Sequence, residues 1–249
     1  MLGHEQFSNP PIIEALLDIQ VELPANIDLP RIEGFKKYVA STHPIVMKKN
    51  QWQTSFQLGN GDLPEIRDKT GGTIGYQYLA ADRKNIIQAR LDGFTVNLLR
   101  PYSNWDDLQS EAKARWREYC EIATPLSVTR LALRYINKIE IPMPIADFKE
   151  YLLTVPDVPS GIPQALSNFF MRVAIPNPKT QDIAFVTVSM EGELTPAKCL
   201  PIIFDIDVFR QVDLPPDDGK MWEVFNTLRE YKNDIFFASI TQKTREMFR

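Results

Sequence analysis

The chain has 249 residues, 44% hydrophobic, 24% charged and 10% aromatic, a globular balance that excludes a disordered or fibrous class. Lys and Arg number 28 against 32 Asp and Glu, so the formal charge is -4 and no overall positive field exists to hold nucleic acid or an anionic membrane surface. Cys120 and Cys199 are too few for a disulfide framework or a Cys-rich zinc site and suit a reducing cytosol, while no apolar run approaches the ~20 residues of a spanning helix.

The N-terminal MLGHEQFSNPPIIE lacks a basic region followed by an apolar core, so we expect a cytoplasmic chain, neither secreted nor membrane-spanning. From Ile13 the pattern alternates, with Ala15, Leu17, Ile19 and Val21 on one side and Glu14, Asp18, Gln20 and Glu22 on the other, which predicts a strand with one buried face. Pro24 stops it, and Asp28 is placed to cap a short helix carrying Leu29, Ile32, Phe35 and Val39. Residues 45–58 read as extended, and GNGDLPEIRDKTGG, punctuated by Gly and Pro, reads as a mobile connection. TIGYQYLA, NIIQARL and FTVNLL follow as an antiparallel meander whose second turn is Asp92-Gly93. Asn104 is placed to cap a helix with Leu108, Ala112, Trp116 and Tyr119 along one face.

After Pro125 the order starts again. LSVTRLALRYINKIEIP predicts a long strand with Leu131, Leu133, Tyr135, Ile139 and Ile141 on one face and Arg130, Arg134, Lys138 and Glu140 on the other. A short helix over IADFKEYLL, a helix from Pro163, strands near 169–175, 183–190 and 200–209, and C-terminal helical segments complete the series. LDIQVELP is echoed by INKIEIP and FKKYV by FKEYL, a repeat of about 115 residues, too long for a solenoid unit. The expected fold is α+β: two similar halves, residues 1–124 and 125–249, each a largely antiparallel sheet with flanking helices, related by internal duplication.

Catalytic motifs are sparse. The histidines are His4, near the terminus, and His43, read as a surface residue in a turn; neither stands in a nucleophile-activating motif. The glycine clusters lack the endings of phosphate-binding loops. Asp205 and Asp207 share one face of a strand, where a pair of carboxylates could hold a divalent cation or remain merely solvated. Arg130, Arg134 and Lys138 form a cationic ladder with two readings: ion pairs to a neighbouring strand, for example to Glu14, Asp18 and Glu22, or a candidate anion-binding face. Trp105, Trp116 and Trp222 read as core on helices, whereas Trp52, beside Lys48 and Lys49, reads first as partly buried against the adjoining strand, the alternative being an exposed indole that meets a partner or single-stranded nucleic acid.

NPPIIEALLDI, LRPYSNWDDL, LALRYINKIEIP and FDIDVF, taken in order, resemble a sporadically distributed prokaryotic family of unknown function, recognised by an N-terminal Asn-Pro-Pro-Ile-x-Glu-Ala element and a central Arg-Tyr-Ile-Asn. The resemblance spans nearly the whole chain. It implies a cytosolic bacterial or archaeal protein, patchily inherited alongside mobile or defence-related genes, and supplies no activity, cofactor or catalytic residue. Its pattern singles out Asn9, Pro10, Glu14, Tyr102, Trp105, Arg134, Tyr135 and Asn137, of which Asn137 interrupts an apolar face and needs internal hydrogen-bond partners.

These readings lead to a non-enzymatic protein with no cofactor, holding a protein partner or ligand at a strand edge, a groove between the halves or the Trp52 region. The alternative is a phosphate- or nucleotide-binding enzyme in which Arg130, Arg134 and Lys138 grip phosphate and Asp205, with Asp207 or Glu14, holds Mg²⁺. Nucleic acid is disfavoured by the charge and by the lack of a basic recognition helix.

Overall fold

The computed structural model describes residues 5–50, 53–57, 65–69, 71–163, 166–191 and 198–249, with the backbone alone considered over 53–57 and 65–69. Trp52, His4 and half of the glycine-punctuated segment lie outside these residues.

Strand β1 (Ile12–Glu22) begins directly after Pro10 and Pro11 and buries Ala15, Leu17 and Ile19 completely, as its alternation predicts. The Asp28 carboxylate accepts the Arg31 N–H at 3.0 Å and starts α1 (Leu29–Glu33), which is followed by α2 (Lys36–Val39). Next come β2 (Ile45–Asn50), the paired strands β3 (Gln53–Gln57) and β4 (Glu65–Lys69), and the meander β5 (Thr73–Leu79), β6 (Asn85–Arg90) and β7 (Gly93–Leu99). The segment expected to be only a connection therefore contains a strand, β4. At the β6–β7 turn Gly93 has φ +155°, and a Cβ there would stand 2.2 Å from the Ile19 carbonyl oxygen, so this turn requires glycine. The Asn104 side chain accepts the Asp107 N–H at 2.9 Å to cap α3 (Trp105–Ala123), whose Leu108, Ala112, Trp116 and Tyr119 face inward.

The second half comprises β8 (Ser127–Pro142), β9 (Phe170–Pro176), β10 (Ile183–Met190), β11 (Cys199–Leu214), α4 (Lys220–Ser239) and α5 (Gln242–Glu246). The helix expected over IADFKEYLL shrinks to a single 3-10 turn, Phe148–Glu150, because the backbone beyond it pairs elsewhere: Leu153 N–H donates to the Ser239 carbonyl at 2.8 Å, and Leu152 bridges Ile240. Pro163 is not helical, and residues 164 and 165 lie outside the described set.

Among the described residues the chain forms one antiparallel nine-stranded sheet in the order β2-β5-β6-β7-β1-β8-β11-β10-β9, beside the separate β3–β4 pair. The α+β class is as expected, but the strands of both halves belong to one sheet instead of two, because β1 and β8 pair along their length. From that central pair the first half runs outward through β7, β6, β5 and β2, and the second through β11, β10 and β9; a long helix follows each meander.

Both long helices lie on the same sheet face. There Phe94 meets Tyr119 at 5.6 Å between ring centroids, and Phe204 stacks on Phe236 at 6.0 Å. Burying side chains of this size contributes ~1.5–3 kcal/mol each, which fixes the register of the central strands, since a one-residue slip would turn every apolar side chain outward. No helix of the described residues is long and apolar enough to cross a membrane.

Candidate functional site

The two sheet faces carry different chemistry. On the helix-free face the cationic ladder is met by carboxylates. Arg134 grips Asp205 with two parallel bonds, Nε to Oδ1 at 2.9 Å and Nη2 to Oδ2 at 2.6 Å. Arg130 lies 3.5 Å from Asp18 and 3.8 Å from Asp207, its guanidinium 4.4 Å above the Phe209 ring, and Lys138 reaches Glu191 at 3.1 Å. Arg90, only 6% exposed, donates to Asp18 at 2.9 Å and to Thr95, whose hydroxyl in turn donates to Asp18 at 2.6 Å. Glu14 accepts the Asn97 amide at 2.5 Å. Of the acidic partners foreseen for the ladder, only Asp18 takes that role; the others come from β11 and from Glu191. Burial raises the Asp207 carboxyl above the ordinary range despite the nearby Arg130 and Arg134. No cluster of three or more acidic, His or Cys side chains suited to a metal occurs among the described residues.

On the helix-bearing face, beyond the core, a cavity of about 530 Å³ opens between the two halves. One wall comes from β8, where Tyr135 and Asn137 project between the helices; a second comes from α4, through Arg229, Lys232 and Phe236; a third is the turn into α3, with Tyr102 and Trp105. The N-terminal strap, residues 5–11, forms the remaining side. It is held to the end of the chain by Asn9 N–H donating to Phe248 O at 2.9 Å and by Arg249 on Glu5 at 2.6 Å, and its Phe7 ring lies 5.7 Å from that of Phe237. Pro11 O accepts the Lys138 N–H at 2.9 Å, which seats the strap on β8.

The polar groups inside the cavity are mostly committed. The Tyr102 and Tyr135 hydroxyls bond each other at 2.8 Å, and burial raises the pKa of both, Tyr102 to about 12 and Tyr135 well above its usual value, so both remain neutral phenols. Asn137, 2% exposed, donates to the Phe204 carbonyl at 3.0 Å, the internal partner its position demands. Trp105 Nε1 donates to Asn226 at 3.2 Å, joining the start of α3 to α4.

Lys232 is different. Its Nζ lies 3.9 Å above the Tyr135 ring, and it has neither a carboxylate within ion-pair distance nor a hydrogen bond among the described residues. Burial, with the Arg229 charge one helical turn away, lowers its amine from 10.5 to about 7, although part of its surface still faces the open cavity.

Thus Pro10, Tyr102, Trp105, Tyr135 and Asn137, scattered in sequence, line one cavity, while Arg134 and Glu14 lie on the opposite sheet face and Asn9 stands exposed on the strap. Sequence reasoning missed Lys232. A signal was available: it falls among Phe225, Leu228, Ile235 and Phe236, placing a lysine within an apolar helical stripe. His43 corrects a second reading, being 3% exposed with its imidazole titration lowered by burial. Cys120, lining a second cavity of about 510 Å³ with Trp116 and Trp222, has its thiol pushed up to about 12 by burial, which disfavours the reactive thiolate.

In sequence comparisons no protein-family model matches the chain, and no curated protein matches it.

Proposed function

We propose that this is a non-enzymatic binding protein whose recognition site is the cavity between its halves. One observation carries the reading: side chains from the strap, the turn into α3, β8 and α4 converge on a space of ligand size, walled by aromatic rings and containing a lysine without a counter-charge. The residues singled out by the family pattern supply much of that wall, which also supports placing the chain in the sporadically distributed prokaryotic family it resembles and, with it, in a cytosolic module carried by mobile or defence-related genes. The shared outward order of strands in the two halves, each closed by a long helix, supports an origin by internal duplication.

A fragment screen read by ligand-observed NMR tests the assignment, with Ser103→Trp as the blocked control, because Ser103 is an exposed residue of the cavity rim. Fragments that bind the wild type and not the equally stable Ser103→Trp protein are expected. Hits that ignore this substitution, or no hits, would refute the assignment.

A second reading is a protein partner at the β9 edge, favoured by Phe170, 73% exposed on a strand that among the described residues pairs only with β10. Co-expression with the products of adjacent genes is expected to yield a complex that Phe170→Lys abolishes; a complex indifferent to that change would exclude this edge.

A further inference from the structure

A ligand for the cavity must satisfy what the chain leaves unsatisfied. Removing an ammonium from bulk water is costly unless an opposite charge or good acceptors replace the solvent. The acids of the cavity wall do not pair with Lys232: Glu5 on the strap is held by Arg249 at 2.6 Å, and Glu230 on α4 lies 3.7 Å from Arg229, its charge only partly offsetting the effect of burial on the amine. The hydroxyls of Tyr135 on β8 and Tyr102 before α3 are neutral and bonded to each other. The other cation of the wall, Arg229, stands over the Trp105 ring at 5.7 Å and adds positive potential. The remaining surface combines aromatic faces, from Phe7, Trp105 and Phe236, with polar groups from Gln6, Asn104 and Asn233.

We infer that the cavity takes a small acid with a flat apolar body, its carboxylate or phosphate head paired with Lys232 and its body against the aromatic walls. This rests on the cavity reading and specifies the ligand class. The acid supplies the counter-charge that no described residue places within ion-pair distance, and a flat body can lie against the rings while the polar side chains of the lining meet its edge.

Binding is also linked to protonation. In the empty cavity the amine titrates near 7 because of burial and the Arg229 charge, and an anion beside it favours the ammonium, so association above neutral pH takes up a proton. Charged and titratable groups around Lys232 are Arg229 and Glu230 from α4, Glu5 from the strap, Tyr135 from β8 and Tyr102 from the α3 turn; burial holds both tyrosines as neutral phenols and brings the Lys232 amine down to about 7.

The test is calorimetric titration with benzoate, phenylacetate and phenyl phosphate against benzamide and phenylacetamide, at pH 6 and pH 8.5, in buffers of different ionisation enthalpy. At least one acid is expected to bind about tenfold more tightly than its neutral counterpart, to weaken by about tenfold or more at pH 8.5, and to take up a proton there. Lys232→Met is expected to abolish the preference for acids and Lys232→Arg to retain it without the pH dependence; thermal unfolding of both variants verifies that they fold. Acids that bind no better than amides, equal binding to Lys232→Met, or no binding by any acid would overturn the inference. Its failure is distinct from failure of the cavity reading: neutral fragments displaced by Ser103→Trp would leave the cavity a binding site of another specificity, whereas fragments indifferent to that change would remove the site itself.

Discussion

The two faces of the central strand β8 treat cations in opposite ways. Arg130, Arg134 and Lys138 point to the helix-free side, and each has a carboxylate within 4 Å; Tyr135 and Asn137 point to the other side, where Lys232 rests on a ring with none. The ladder, conspicuous in sequence because its charges alternate along one strand, consists of mutually neutralising pairs that hold neighbouring strands in register. The lysine, inconspicuous because it sits alone on a helix, has no carboxylate within ion-pair distance among the described residues. Local charge density therefore marks structure in this protein, and charge without a partner marks the candidate site.

The strongest way to break this contrast is to unbalance the paired face. Asp18 serves Arg90, Arg130 and Thr95 at once, so Asp18→Ala leaves the 6%-exposed Arg90 with less counter-charge and is expected to cost about 3–5 kcal/mol by urea unfolding. A loss below about 1 kcal/mol would mean that the network is not structural.

Removing the unpaired charge should act in the opposite sense. Lys232 has a folded-state amine below its unfolded value, so the unfolded chain binds more protons between pH 7 and 10.5, and this group destabilises the fold fully below about 7 and progressively less as pH rises. Lys232→Met is thus expected to be the more stable protein at pH 6, by roughly 2–4 kcal/mol, and to lose that advantage by pH 10. Equal stability across this range, or a variant less stable at pH 6, would show that the amine is not penalised.

Smaller effects sharpen the comparison. Arg134 is 43% exposed, and although its bond to Asp205 is bidentate, solvent screens it; Arg134→Met is expected to cost about 1–2 kcal/mol, less at high salt. Tyr102→Phe removes one hydroxyl of the Tyr102–Tyr135 pair and is expected to cost about 1 kcal/mol while leaving the cavity walls in place, measured by the same unfolding transitions.

Much of the secondary structure was legible because apolar periodicity reports burial directly. The β8 alternation placed Leu131, Leu133, Tyr135, Ile139 and Ile141 on the buried side, and the Asp28 and Asn104 caps start the helices that follow them. Periodicity does not specify which strand edges meet, so the pairing of β1 with β8 into a single sheet could not be read from it. Nor does it foresee tertiary competition for backbone groups, which draws Leu152 and Leu153 out of a helix and onto the end of α4. The site was legible in part. Family-pattern residues reached Tyr102, Trp105, Tyr135 and Asn137, but Lys232 and the Phe7 strap come from opposite ends of the chain and join them only through packing.

The measurement that addresses the central contrast most directly is an NMR pH titration of the Lys232 ε-amine in the free protein, assigned by comparison with Lys232→Arg. A midpoint near 7 is expected for an ammonium held without a counter-charge. A midpoint at the ordinary lysine value of about 10.4 would show that solvent or a partner already satisfies it, and would contradict the contrast between the paired ladder and an unpaired Lys232.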